Sequence, residues 1–137
     1  MPIKYRVDHE ARVVICAGHG VFSDSDVFGY QREVWSRKDV AGYNELVDMT
    51  HVTRIALPSA DRVKDLANLA SEMDDPSSKS KMAVVASNNF AYGLGRMFQT
   101  YRELDRRSTK EVAIFRTMEE ALAFLQIDHP LEMPELA

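Results

Sequence analysis

Four apolar runs of strand length, each followed by apolar residues at helical spacing, constrain this chain more than any other feature. The runs are Arg12 to Ala17, Glu45 to Met49 around Leu46 and Val47, Met82 to Ala86, and Glu111 to Phe115. The stripes that follow are Val27, Tyr30, Val34 and Trp35; then Val63, Leu66, Ala67, Ala70 and Met73; then Phe90, Leu94, Met97, Phe98, Tyr101 and Leu104; and lastly Ala121, Leu122, Phe124 and Leu125. A strand that returns through a helix must run parallel to its predecessor, so this alternation demands a sheet with parallel neighbours. Ahead of it, Ile3 to Val7 alternates apolar with basic residues and turns at Asp8 to Ala11, which adds one antiparallel strand by a hairpin. The order is β-β-α-β-α-β-α-β-α. It predicts a single-domain α/β fold with a mixed, mostly parallel five-stranded sheet and helices on both faces.

Punctuation supports the same division. Ser23 precedes Asp24 and Asp26 as an N-cap with acids in the first turn, where the helix dipole favours them. That helix is expected to end near Lys38, and Gly18-His19-Gly20 before it is expected to be a flexible break. From Tyr43 to Val63 the chain reads as a buried strand ending on Asp48 and Thr50, a polar turn, and a helix beginning near Ser59 with Pro58 ahead of it. Asp74 to Ser80 is a polar loop, and Ser87-Asn88-Asn89 can cap the third helix. Thr117-Met118-Glu119-Glu120 has the spacing of a capping box. Residues 1–127 form the domain by this division. The tail, 128–137, holds Pro130 and Pro134 and either docks through Leu131, Met133 and Leu136 or frays.

Composition closes off several function classes. At 137 residues, 45% hydrophobic and 28% charged, the chain has the make-up of one globular domain and can bury roughly two-thirds of its unfolded surface. A net charge of -4 disfavours nucleic acid and anionic membrane as partners. Arg102, Arg106, Arg107 and Lys110 form a basic run, which reads as a solvated connector. The one cysteine, Cys16, has no partner for an internal disulfide, which fits a cytoplasmic setting. The opening residues lack the apolar run of a signal peptide, and no stretch approaches a transmembrane segment. His9, His19, His51 and His129 lack metal-ligand spacing, and no cofactor is called for.

The element order, together with two segments, resembles the STAS superfamily of anti-sigma-factor antagonists and sulfate-transporter tails, and more closely its SpoIIAA-like branch. Leu46-Val47-Asp48-Met49-Thr50-His51-Val52-Thr53 is similar to the superfamily's Asp-Leu-Ser-x-Val-Thr turn. Phe90-Ala91-Tyr92-Gly93-Leu94-Gly95-Arg96-Met97-Phe98 is similar to the branch's Tyr-Gly-x-x-Arg-Met-Phe stretch. The resemblance spans roughly Ile3 to Leu125. It implies the predicted fold and a regulatory or binding role. Antagonists of the family are switched by phosphorylation of a Ser or Thr at the start of the second helix. The matching position here is Leu57 or Pro58, neither of which accepts a phosphate, so the switch is not carried over. The branch is also said to share its fold with CRAL-TRIO lipid-binding domains, which brings a small apolar ligand into view.

Candidate chemistry is sparse. Asp48 and His51 could serve a small hydrolase or isomerase as base and orienter, yet no serine lies in a nucleophile turn, and Asp48 and Thr50 are expected to hydrogen-bond loop amides instead. Gly93-Leu94-Gly95 falls inside a helix rather than after a strand, so the glycines are expected to permit close packing or a subunit contact, not to cradle phosphate. Tyr92, Arg96 and Gln99 lie on successive turns above the Asn88 cap, where a carboxylate or phosphate could be received. The reading is a non-catalytic module that recognises a protein partner, as a homodimer or otherwise, or a small ligand. Its expected contact residues are Asp48, Thr50, Ser59, Asn88, Tyr92 and Arg96; the alternatives are an apolar-ligand carrier and the Asp48/His51 enzyme.

Overall fold

The computed structural model describes residues 3–57 and 59–135. Pro58 and Leu136, for which the sequence predicts a pre-helix position and a docking contact, lie outside the described residues. The elements run β1 (Ile3–Asp8), β2 (Val13–Ser23), α1 (Asp24–Trp35), β3 (Asn44–Ala56), α2 (Ala60–Met73), β4 (Ser80–Val85), α3 (Asn89–Leu104), β5 (Lys110–Phe115) and α4 (Met118–Phe124). They form one sheet in the order β1-β2-β3-β4-β5, with β1 antiparallel to β2 and every other neighbouring pair parallel.

Helix placement follows from that order. Each of the three crossovers adds its strand on the same side of the last, so crossovers of one hand put α1, α2 and α3 on the same face. That face holds the larger core, built on Val14, Cys16, Val47, Met82 and Val84. The alternate residues Val13, Ile15, Leu46, Ala83 and Val85 point to the other face, where α4 supplies Ala121 and Leu125. Leu131 and Met133 of the tail pack against this second cluster, and Arg6 on β1 binds Glu132 at 2.8 Å.

The caps expected at Ser23, within Ser87-Asn88-Asn89 and at Thr117 form, and Ser59, near which a helix start was expected, caps α2 as well. The side-chain oxygens of Ser23, Ser59, Asn88 and Thr117 each accept a hydrogen bond from the amide three residues on. The capping box differs in its second half: Glu120 Oε1 accepts from the Thr117 hydroxyl, at 3.0 Å.

Several boundaries depart from expectation. The first helix stops at Trp35, and Lys38–Val40 forms a separate 3-10 turn. Gly18-His19-Gly20 does not break the chain, because β2 runs through it to Ser23 with two register irregularities against β3. Gly20 takes φ +65°, and a Cβ on Gly18 would sit 2.6 Å from the Phe22 ring, so both glycines serve an irregular strand rather than a loop. The predicted polar turn after Thr50 is likewise strand as far as Ala56. Beyond Asp48, β3 pairs with β2 alone, and Val52 points inward while His51, Thr53 and Arg54 stay exposed. A strand with one neighbour and one wet face has the composition of a turn.

The third helix departs most from its stripe. Phe90 and Leu104 are 64% and 76% exposed, whereas Ala91 and Arg102 are the residues buried beneath α3. Gly95 lies so close to β5 that a Cβ would stand 3.1 Å from Ile114, whereas one on Gly93 would meet nothing within 4 Å, so the close packing expected of both glycines holds for Gly95 alone.

Candidate functional site

A cavity of about 100 Å³ lies between the sheet and the three helices on its larger face. Its floor is Cys16, Val47, Met49, Met82 and Val84, inward residues of β2, β3 and β4. Val63 and Leu66 of α2 and Ala91, Leu94 and Phe98 of α3 line the opposite side. Phe22, Ile55 and Leu57 come from the stretch where β2 and β3 outrun β4. The unexpected strand extension therefore supplies part of the lining.

One end of the cavity is polar. Tyr30 and Gln31 of α1 and Glu45 of β3 line it, and among the described residues Glu45 is the one charged side chain there. Glu45 is 3% exposed. Its Oε2 accepts hydrogen bonds from the Tyr30 hydroxyl at 2.8 Å and the Trp35 indole nitrogen at 3.3 Å. Lys110 Nζ lies 3.4 Å from Oε1 and 3.0 Å from the centroid of the Trp35 ring, so the ammonium is held by a carboxylate and a π-face together. Lys110 lines a second, polar recess of about 260 Å³ with Trp35, Asp74 and Ser80. Glu45 thus belongs to the lining of the apolar cavity and Lys110 to that of the polar recess.

Burial governs the titration of Cys16, Tyr30 and Lys110. It pushes the Cys16 thiol and the Tyr30 hydroxyl well above their ordinary values, and the Glu45 carboxylate adds to both. Lys110 is lowered by the same desolvation, against the opposing pull of Glu45. At neutral pH the thiol is protonated and is no nucleophile.

The basic run is not a solvated connector throughout. Arg106 and Arg107 are exposed, but Arg102 is 2% exposed and donates to Asp74 Oδ2 at 2.7 Å and to Ser108 Oγ at 3.1 Å. Asp74 also accepts from the amides of Thr109 at 2.9 Å and Lys110 at 3.3 Å. This buried pair ties the end of α2 to α3 and the start of β5. Single charges in a polar segment carry no periodic signal, so nothing in the local sequence separates Arg102 and Lys110 from their neighbours.

The six residues expected to make contacts stand apart from the cavity lining. Asp48 is buried, and its Oδ1 accepts from the amide of Thr50 at 3.0 Å and from the Thr50 hydroxyl. These are the loop-type bonds expected of the pair, made here within a strand. His51 is exposed, and no hydrogen bond joins it to Asp48 among the described residues. Ser59 and Asn88 cap α2 and α3. Tyr92 lies under the Arg116 guanidinium, 4.0 Å from its ring, and Arg116 also donates to Asn89 Oδ1 at 2.8 Å. Arg96 is exposed. Among the described residues no three or more His, Cys, Asp or Glu gather as metal ligands, and no helix is long and apolar enough to cross a membrane.

Residues lining the cavity had a partial signal in the sequence. Tyr30, Val63, Leu66, Leu94 and Phe98 stand in the predicted stripes, but periodicity reports which way a side chain faces and not whether the space in front of it is filled. Glu45 had no signal beyond its place at the start of an apolar run.

Comparison with known proteins bears on the fold alone. No family model matches the chain, nor does any curated protein. Among solved structures it is similar to an uncharacterised protein of the DUF3478 family from Shewanella loihica PV-4, described as having a SpoIIAA-like fold. The two share 15% sequence identity with a TM-score of 0.57, over 90% of this chain and 93% of the other. The element order, the sheet topology and this likeness together give the chain a SpoIIAA-like, STAS-type α/β fold.

Proposed function

We propose that this chain is a non-catalytic STAS-like module that recognises a small, largely apolar molecule in the cavity beneath α2 and α3. The carrying observation is the cavity itself: an apolar space with one polar end, lined from three helices and three strands. Core side chains ordinarily fill such space, and a cavity with a few polar groups at one end has the make-up of a small-molecule site. A catalytic reading draws no comparable support, since Asp48 is engaged by Thr50 and the buried thiol is protonated.

The test uses the methyl groups of methionine. Met49 and Met82 line the cavity, while Met118 and Met133 pack on the opposite face of the sheet. Titration of methyl-labelled protein with benzene should shift the Met49 and Met82 signals saturably and leave Met118 and Met133 in place. Unmoved Met49 and Met82 signals up to the solubility limit of benzene would sink the proposal.

A second reading has its own observation. Recognition of a partner by α3 rests on Phe90 and Leu104, which stand at its two ends with most of their surface in water. Light scattering and cross-linking of the wild type against Phe90→Asp and Leu104→Asp test it. Identical mass and cross-linking patterns at every concentration reached would remove its support.

A further inference from the structure

The polar end of the cavity carries an inference about the class of molecule it takes, one that rests on the cavity reading above. A buried ion pair ordinarily presents no net charge to its surroundings. Here the two charges border different spaces: Glu45 lines the apolar cavity, while Lys110 lines the polar recess with its Nζ against the Trp35 ring. Among the described residues no Lys, Arg or His joins the cavity lining. A ligand entering the cavity meets Glu45 among the lining residues, with the counter-ion Lys110 3.4 Å from its Oε1 on the side of the recess.

That arrangement sorts ligands by charge and by hydrogen-bond sense. An anionic head group would lie beside a buried carboxylate with no cation in the lining to receive it, and would give up its hydration with little return. A hydroxyl or ring N–H, in contrast, can donate. A carboxylate has about four acceptor positions. Tyr30 and Trp35 occupy Oε2, and Oε1 receives one long contact from Lys110. An acceptor position on Glu45 is left over. Size adds a second limit, because an apolar cavity of roughly 150 Å³ holds benzene, and the present space is smaller but bordered by the flexible side chains of Met49 and Met82.

We infer that the cavity takes a neutral molecule of about one ring that carries a hydrogen-bond donor, such as a phenol, and rejects carboxylates of the same size. The test compares phenol, benzene and benzoate on the unmodified protein at neutral pH, read by the Met49 and Met82 methyl shifts. Phenol should bind at least about tenfold more tightly than benzene, the worth of a hydrogen bond to a charged acceptor. Benzoate should bind more weakly than benzene. In Glu45→Gln the gap between phenol and benzoate should shrink by about tenfold or more, since the charge that rejects benzoate is gone.

Outcomes divide cleanly. Benzene binding with phenol no tighter, or with benzoate as tight as phenol, overturns the inference and leaves the cavity reading standing. Met49 and Met82 signals that benzene leaves unmoved overturn both. A Glu45→Gln protein that folds and keeps the full gap overturns Glu45 as its source, and if that variant does not fold, the wild-type series decides alone.

Discussion

At the scale of single residues, the buried charges are the least forgiving feature. Arg102 and Asp74 are both buried and bonded at 2.7 Å, and removing one partner leaves the other charge without compensation. Arg102→Leu should therefore cost about 3 kcal/mol in urea unfolding, although the side chain it introduces is apolar. An unchanged midpoint would mean that the amides of Thr109 and Lys110 satisfy Asp74 unaided. The titrating groups set a pH dependence whose sign can be worked out. Cys16 and Tyr30 keep their protons in the folded state above the ordinary values of 9.0 and 10.0, while the unfolded chain releases them. The native state then binds more protons than the unfolded one, so stability falls as pH rises above about 9. Lys110 is lowered and acts in the opposite sense just below 10.5, one group against two. Denaturation midpoints should decline from about pH 9 to pH 11, and Tyr30→Phe should flatten the decline while lowering stability by about 2 kcal/mol at neutral pH through the lost bond to Glu45. A flat profile in the wild type would contradict this assignment.

At the scale of elements, α3 makes the clearest separation between what a helix prefers and what its neighbours permit. Gly93 and Gly95 stand two apart in one helix and have the same intrinsic cost relative to alanine. A Cβ on Gly93 meets nothing within 4 Å, whereas one on Gly95 stands 3.1 to 3.3 Å from three atoms of Ile114. Gly93→Ala should stabilise by about 1 kcal/mol. Gly95→Ala should gain less, or lose outright, because Ile114 has to yield. Thermal unfolding of the two variants checks this, and equal gains would mean that β5 gives way freely. Helix starts were legible for a related reason: a cap such as Ser23 or Asn88 bonds an amide three residues away, inside the window a sequence displays. The strand ends were not. Whether Gly18 to Ser23 and Thr50 to Ala56 are loop or strand depends on their pairing with each other, across more than thirty residues of intervening chain.

At the scale of the whole molecule, the strand order decides how the two faces are covered. Three helices occupy one face, and the other relies on the short α4 and on the tail. Leu131 and Met133 therefore substitute for a helix the topology does not provide. Truncation after Ile127 should lower stability by about 2 kcal/mol, from the apolar surface that those two side chains no longer cover. A truncated chain with an unchanged denaturation midpoint would show that α4 covers the face by itself.

The sequence by itself determined the succession of strands and helices, the caps at Ser23, Asn88 and Thr117 and the inward-facing stripes of α1, α2 and α4, because each is written in spacings of two to four residues. It also sufficed for the likeness to a SpoIIAA-like fold, which is a property of element order. Only the tertiary structure decided that Glu45 and Lys110 meet beside the Trp35 ring, that Arg102 is buried, and that the packed stripes leave a space between them. Those facts depend on side chains far apart in the chain and on the volume left when they close together. No local pattern records either.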